Sequence, residues 1–220
     1  MEQESFLTSN QKKVLSAISK ESFFVENFYL TGGTALAEFY LKHRLSEDLD
    51  FFSQKEFDVS IVSAFLKKYK NELGFKKFDY EQSFNRNLFF IYFPSETLKT
   101  EFTYFPFLQI KKPKIVNALK IDSLLDIAVN KAFTIAQKPR TRDFIDLYLI
   151  LKKQSWDFKE ILKKARLKFD WHIDPVNLGT HLLEAKKIKD YPKMLVKIND
   201  KDWQEFFLNE AKKLKKDIFK

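Results

Sequence analysis

The chain of 220 residues has no cysteine, which removes disulfides and thiolate metal sites from consideration. Histidine is nearly as scarce. His43, His172 and His181 are too few and too scattered for a zinc site, so any metal must be held by carboxylates. No apolar run reaches the roughly 18 residues that a membrane span needs, and the opening residues MEQESFLTS are acidic and polar. Neither a signal peptide nor a membrane helix is predicted, and the chain reads as cytoplasmic. Internal repeats and low-complexity linkers are missing too, so the chain is read as folded throughout.

What is present is ordinary for a globular protein: 45% hydrophobic and 31% charged residues, with a net charge of +9. The charge is unevenly spread. Residues 1–150 carry 21 basic and 19 acidic side chains, whereas residues 151–220 carry 18 and 11. A basic last third suits a polyanionic substrate such as RNA, although lysine-rich helices also serve simply as solvated faces.

Residues 28–53, FYLTGGTALAEFYLKHRLSEDLDFFS, hold the arrangement that folding alone explains least. Phe28, Tyr29 and Leu30 read as a strand, and Gly32-Gly33-Thr34 as a turn, with a helix from Ala35 to Lys42 directly after it. Strand, glycine turn and helix N-terminus together present backbone N–H groups to an anion, with no Cβ on Gly32 or Gly33 to obstruct a phosphate. Asp48 and Asp50 follow on a second strand, where alternation puts both carboxylates on one face and Leu49 and Phe51 on the other. Two neighbouring carboxylates repel unless a cation lies between them, and oxygen ligands of this kind suit Mg²⁺.

Elsewhere the pattern predicts a first helix capped by Thr8 or Ser9 and a helix capped by Asp58 that stops at Gly74. A meander of strands follows at Phe75–Tyr80, Asn87–Phe93 and Thr97–Phe105. Glu101 falls in the middle of the third strand, where a carboxylate needs a partner. Its plainer reading is an edge-strand side chain facing water beside Lys99. From Asp122 the apolar period becomes helical, first through Leu124, Leu125, Ala128, Ala132 and Ile135. A second helix begins near Arg142, and Asp143 and Asp146 share one of its faces. Further helices are expected at Phe158–Leu167 and Pro175–Lys187, and along the stripe Trp203, Phe207, Ala211, Leu214 and Ile218, flanked by Lys212, Lys213, Lys215 and Lys216.

The Gly-Gly turn followed by Asp-x-Asp resembles the nucleotidyltransferase superfamily typified by DNA polymerase beta. The fuller string, GGTALA and then Arg44, Ser46, Asp48 and Asp50, is similar to the AbiEii/MenT family of nucleotidyltransferase toxins. A second segment agrees: Lys131 on one helix, then Arg142-Asp143-Phe144-Ile145-Asp146-Leu147-Tyr148 on the next.

The resemblance implies an α+β fold, with a mixed nucleotidyltransferase-like sheet and flanking helices followed by a C-terminal helical bundle. The boundary is expected at 116/117, with residues 117–220 completing the active-site cleft. It implies Asp48, Asp50 and Glu101 as ligands of Mg²⁺, Glu101 standing where much of the superfamily has Asp. The triphosphate of an NTP is expected at Gly32, Gly33 and Thr34, with Lys131 and Arg142 countering its charge and Asp143 in the active site. No step is assigned to Arg44 or Ser46. The implied activity is transfer of nucleotides to an RNA acceptor, a tRNA 3′ end being the family's kind of target, in a toxin restrained by a separately encoded antitoxin. Transfer to a protein hydroxyl, or an inactive nucleotide- or RNA-binding module of the same fold, are the competing readings.

Overall fold

The structure, a computed structural model, describes residues 5–218; the side-chain surroundings of residues 215–220 lie outside the described residues, and with them the expected places of Lys215, Lys216 and Ile218. The chain forms two units, one of residues 1–108 and 112–123 and the other of residues 109–111 and 124–220.

The first unit opens with α1 (Ser9–Ile18). Thr8 and Gln11 close a reciprocal cap at its start: the Thr8 hydroxyl accepts from Gln11 N–H at 3.1 Å, and the Gln11 amide oxygen accepts from Thr8 N–H at 2.9 Å. After α2 (Ser22–Asn27), β1 (Tyr29–Thr31) runs straight into α3 (Gly32–Leu36). The helix therefore begins on the glycines themselves. Its last turn widens at Ala37–Leu41, where Lys42 N–H reaches back five residues to the Ala37 carbonyl. Next come β2 (Leu49–Ser53), α4 (Ser60–Leu73) and the meander β3 (Lys77–Ser83), β4 (Arg86–Tyr92) and β5 (Thr97–Tyr104). Asp58 accepts the Ser60 N–H at the start of α4, and Gly74 ends that helix in left-handed backbone.

Among the described residues the sheet has seven strands in the order β3-β4-β5-β2-β1-β7-β6, mixed in direction as the α+β reading expects. β6 (Lys114–Val116) and β7 (Leu119–Ile121) form a short hairpin whose second strand pairs parallel with β1. The sequence reading placed residues from 117 onward with the helices. Three-residue strands carry too few alternations to announce themselves, and here tertiary pairing alone makes them strands.

Alternation along β2 and β5 sorts their side chains onto two faces. Phe51 and Phe102 stack at 5.1 Å between ring centroids, and Phe24 of α2 packs on both Phe102 and Phe65 of α4. That face is the core. The opposite face carries Asp50 and Glu101, while Asp48, expected on the strand, lies just before it and reaches Lys99 of β5.

The second unit holds α5 (Leu124–Gln137), α6 (Thr141–Gln154), α7 (Phe158–Phe169), α8 (Pro175–Leu183) and α9 (Asp200–Ile218). Phe144 lies 4.9 Å from Phe207 and 6.1 Å from Trp203, so the Trp203–Phe207 part of the α9 stripe is core, and Ala211 and Leu214 beyond it are half-buried. Residues 109–111 belong here because the buried Asp126 carboxylate accepts Ile110 N–H at 2.8 Å and Lys111 N–H at 3.0 Å. Lys168, also buried, completes the clasp at 2.8 Å.

Candidate active site

Gly32 has φ +73°, and a Cβ there would run into the Asp50 carboxylate. Glycine is required on both counts. Gly33 is constrained differently: a Cβ would lie 2.5 Å from an Arg44 guanidinium nitrogen and 2.8 Å from the Ser46 hydroxyl. Arg44 and Ser46, for which the sequence suggested no step, thus pack against the turn. Arg44 is buried and donates to the Leu45 carbonyl at 2.9 Å, while Gln11 holds the Ser46 carbonyl at 2.9 Å. Thr34 is buried as well, and its hydroxyl donates to the Asp48 carbonyl. The Thr34 side chain therefore ties the turn to the start of β2.

β2 and β5 pair in parallel with Asp50 opposite Glu101, so the two carboxylates leave the sheet on one face. Glu101 is 4% exposed and lies on an interior strand, which sets aside the water-facing edge reading. Its partner is one the sequence did not reveal. Arg86 of β4 grips Glu101 through Nε at 2.8 Å and Nη2 at 2.6 Å, and the Thr103 hydroxyl adds a third bond at 2.6 Å. Burial alone would raise the Glu101 pKa, but the Arg86 fork, the Thr103 hydroxyl and the nearby charge of Lys99 outweigh it and hold it below the usual value. Asp48 forms a single ion pair with Lys99 of β5, at 2.6 Å.

Whether these residues suit a divalent cation is a question of donor set and of competition. The donors are carboxylate oxygens on one face of the sheet, as a hard cation prefers. Among the described residues, however, no three acidic or imidazole side chains are drawn together into a ready-made metal cage. Any shared cation must compete with Lys99 for Asp48 and with Arg86 for Glu101.

In the helical unit, Lys131 of α5 lies between two carboxylates of α6, 2.5 Å from Asp143 and 2.8 Å from Asp146. All three are largely buried. Arg142, between them in sequence, is half-buried. The N-terminus of α6 is served from far along the chain, since Thr141 N–H donates to Asp190 at 2.8 Å.

The family model described as "Nucleotidyl transferase AbiEii toxin, Type IV TA system" matches residues 13–215, nearly the whole of both units. The chain belongs to the AbiEii family. Membership makes it a transferase of nucleotidyl groups and a toxin of the toxin–antitoxin kind, at the level at which the family is defined. An uncharacterised protein of Aquifex aeolicus (strain VF5), aq_aa25, is 35% identical over 147 residues, 65% of this AbiEii chain and 66% of that protein. The match thus spans about two thirds of that relative's length.

Two solved Helicobacter pylori structures share the fold. JHP933 has a TM-score of 0.58 at 16% identity, covering 94% of this chain and 91% of its own. A protein described as a putative nucleotidyltransferase has a TM-score of 0.59 at 18% identity, covering 94% of each chain. Among the described residues of the AbiEii chain, no helix is long and apolar enough to cross a membrane.

Proposed function

We propose that this AbiEii chain is a Mg²⁺-dependent nucleotidyltransferase that moves a nucleotide from an NTP to an RNA acceptor, with a tRNA 3′ end as the target. A separately encoded antitoxin restrains it. The observation carrying the reading is Asp50 in register with Glu101, on the face opposite the aromatic core and pressed against Gly32.

Asp48, Asp50 and Glu101 are the proposed metal ligands; the bound ion would activate the acceptor hydroxyl and neutralise charge on the α-phosphate and departing pyrophosphate. In the transfer, the acceptor oxygen bonds to the α-phosphorus and the bond from that phosphorus to the β-bridging oxygen breaks. Pyrophosphate leaves with the electron pair, and the hydroxyl proton passes to solvent. Gly32, Gly33 and Thr34 offer backbone N–H groups to the triphosphate, while Arg44 and Ser46 hold the shape of the turn that presents them. On the family pattern, Lys131 and Arg142 are the helical unit's proposed contribution to neutralising the triphosphate, with Asp143 orienting Lys131.

The test is incubation of the protein with each α-labelled NTP and total RNA, with Mg²⁺ or with EDTA. Label should enter RNA with Mg²⁺ alone. Label entering protein instead would move the acceptor to a protein hydroxyl, and no transfer with any NTP would leave a binding module of the same fold.

A further inference from the structure

The hairpin joining β3 and β4 turns in two residues, Phe84 and Asn85, between the paired Ser83 and Arg86. Phe84 has φ +52° and is 94% exposed. Turns of this length favour Gly, Asn or Asp at such angles, so a phenylalanine here bears a conformational cost while burying none of its ring. Nor is the tip loose. Tyr104 N–H donates to the Asn85 carbonyl at 3.0 Å. Beneath it, Tyr80 donates to the Asn87 side chain at 2.8 Å and Asn87 donates to the Phe102 carbonyl at 3.1 Å. The ring is thus held out in solvent by a braced backbone, and Arg86 stands at the foot of the turn. Two Arg86 nitrogens are committed to Glu101, and its side chain is 52% exposed, leaving the rest of its five-donor fork accessible to a phosphate.

The direction of the strands says which substrate could use this tip. β1 is antiparallel to β2 with Thr31 opposite Asp50, so Gly32 lies toward the N-terminal end of β2. Arg86 pairs with Thr103, on the C-terminal side of Glu101. Glycine turn and hairpin tip therefore flank the Asp50–Glu101 pair from opposite ends. In nucleotidyl transfer, attacking and leaving oxygens are in line, on opposite sides of the α-phosphorus. With the triphosphate on the glycine turn, the acceptor must arrive from the hairpin side.

We infer that the β3–β4 tip docks the single-stranded end of the RNA acceptor, with a base stacked on Phe84 and the neighbouring phosphate met by Arg86. This rests on the transferase reading above. Strand spacings put the tip roughly 15 Å from Asp50, within the reach of a few unpaired nucleotides. Aromatic side chains bind unpaired bases in this sequence-tolerant way because every base has a π-face.

The test uses the full chain and the variants Phe84→Gly, Phe84→Leu and Phe84→Trp. Glycine relieves the backbone as it removes the ring, so misfolding cannot account for a loss. Two readouts are taken: half-saturation by bulk tRNA and by NTP in the labelled-NTP assay, and fluorescence anisotropy of a labelled single-stranded oligoribonucleotide. Phe84→Gly and Phe84→Leu should each weaken the tRNA and oligonucleotide interactions by roughly tenfold, with NTP half-saturation unchanged, and Phe84→Trp should restore both. Unchanged RNA binding in Phe84→Gly overturns the proposal, as does a weakened NTP interaction in its place. If the parent transfers no nucleotide, the catalytic reading fails while the anisotropy still decides this one. A parent that labels protein and ignores the oligonucleotide overturns the docking proposal alone.

Discussion

Glu101 and Arg86 form a two-pronged ion pair across neighbouring strands, with the carboxylate buried and the guanidinium half in solvent. The folded pKa of Glu101 lies below the ordinary glutamate value of about 4.5, so the stability it contributes is present above about pH 4.5 and is lost as pH falls through the lower folded value. Glu101→Gln should cost roughly 1 kcal/mol at pH 7, a charged hydrogen-bond pair discounted for its exposed partner, and should flatten the acid limb of stability. Urea midpoints between pH 3 and 7 check this. An unchanged acid limb would show that the pair contributes nothing.

Asp48→Asn and Asp50→Asn keep shape while removing charge. Transfer from labelled NTP should fall by orders of magnitude in each, with the thermal midpoint kept or raised for Asp50→Asn, where carboxylate repulsion is relieved. An Asp50→Asn protein as active as its parent would rule out the mechanism.

Two glycines with nearly the same φ separate backbone cost from crowding. Gly74, at φ +76°, has open space around its missing Cβ, whereas Gly32, at +73°, has the Asp50 carboxylate there. Gly74→Ala should cost roughly 1–2 kcal/mol for left-handed backbone alone. Gly32→Ala should cost clearly more and abolish transfer, because Asp50 must move. Equal losses in denaturant would mean that Asp50 yields freely.

Lys131→Ala leaves Asp143 and Asp146 buried without their shared cation, a change of about 3 kcal/mol or more. Adding Asp146→Leu should recover part of that loss, and a double-mutant cycle measures the coupling. Activity of Lys131 variants is therefore best compared at temperatures where all remain folded.

Expression of the intact protein without an antitoxin should arrest growth of a bacterial host, and the Asp48→Ala, Asp50→Ala variant should be harmless at equal abundance. A merely sticky basic protein would inhibit growth either way. Equal inhibition by the double variant would separate toxicity from catalysis.

The strand, glycine turn, helix and Asp-x-Asp strand were legible because each is written in neighbouring residues: two glycines, a period of two, a period of three to four. The α5 and α6 helices were legible for the same reason. Arg86 was not, since its partnership depends on β4 lying in register beside β5, and nothing local to the Arg86-Asn87 stretch signals that register. Arg44 and Ser46 stood out as a spacing, but their fit against Gly33 needs the chain to return to its own turn. Asp190 at the start of α6 and Lys168 beside Asp126 are likewise contacts between residues far apart in the chain, which periodicity cannot register.

The Asp126 clasp bears on the order in which the chain can mature. Ile110 and Lys111 leave the ribosome well before α5, and Lys168, the cation that balances Asp126, comes later still. Until α7 exists, the buried Asp126 lacks the lysine cation that balances its charge, which is costly. The clasp on the 109–111 segment is therefore complete only once Lys168 has been made. Because the chain returns to the sheet for β6 and β7 after that segment, no single cut separates the two units as intact pieces. A translation product that ends before α7 would carry Asp48, Asp50 and Glu101 but not the cation that closes the Asp126 clasp, so the clasp waits on α7.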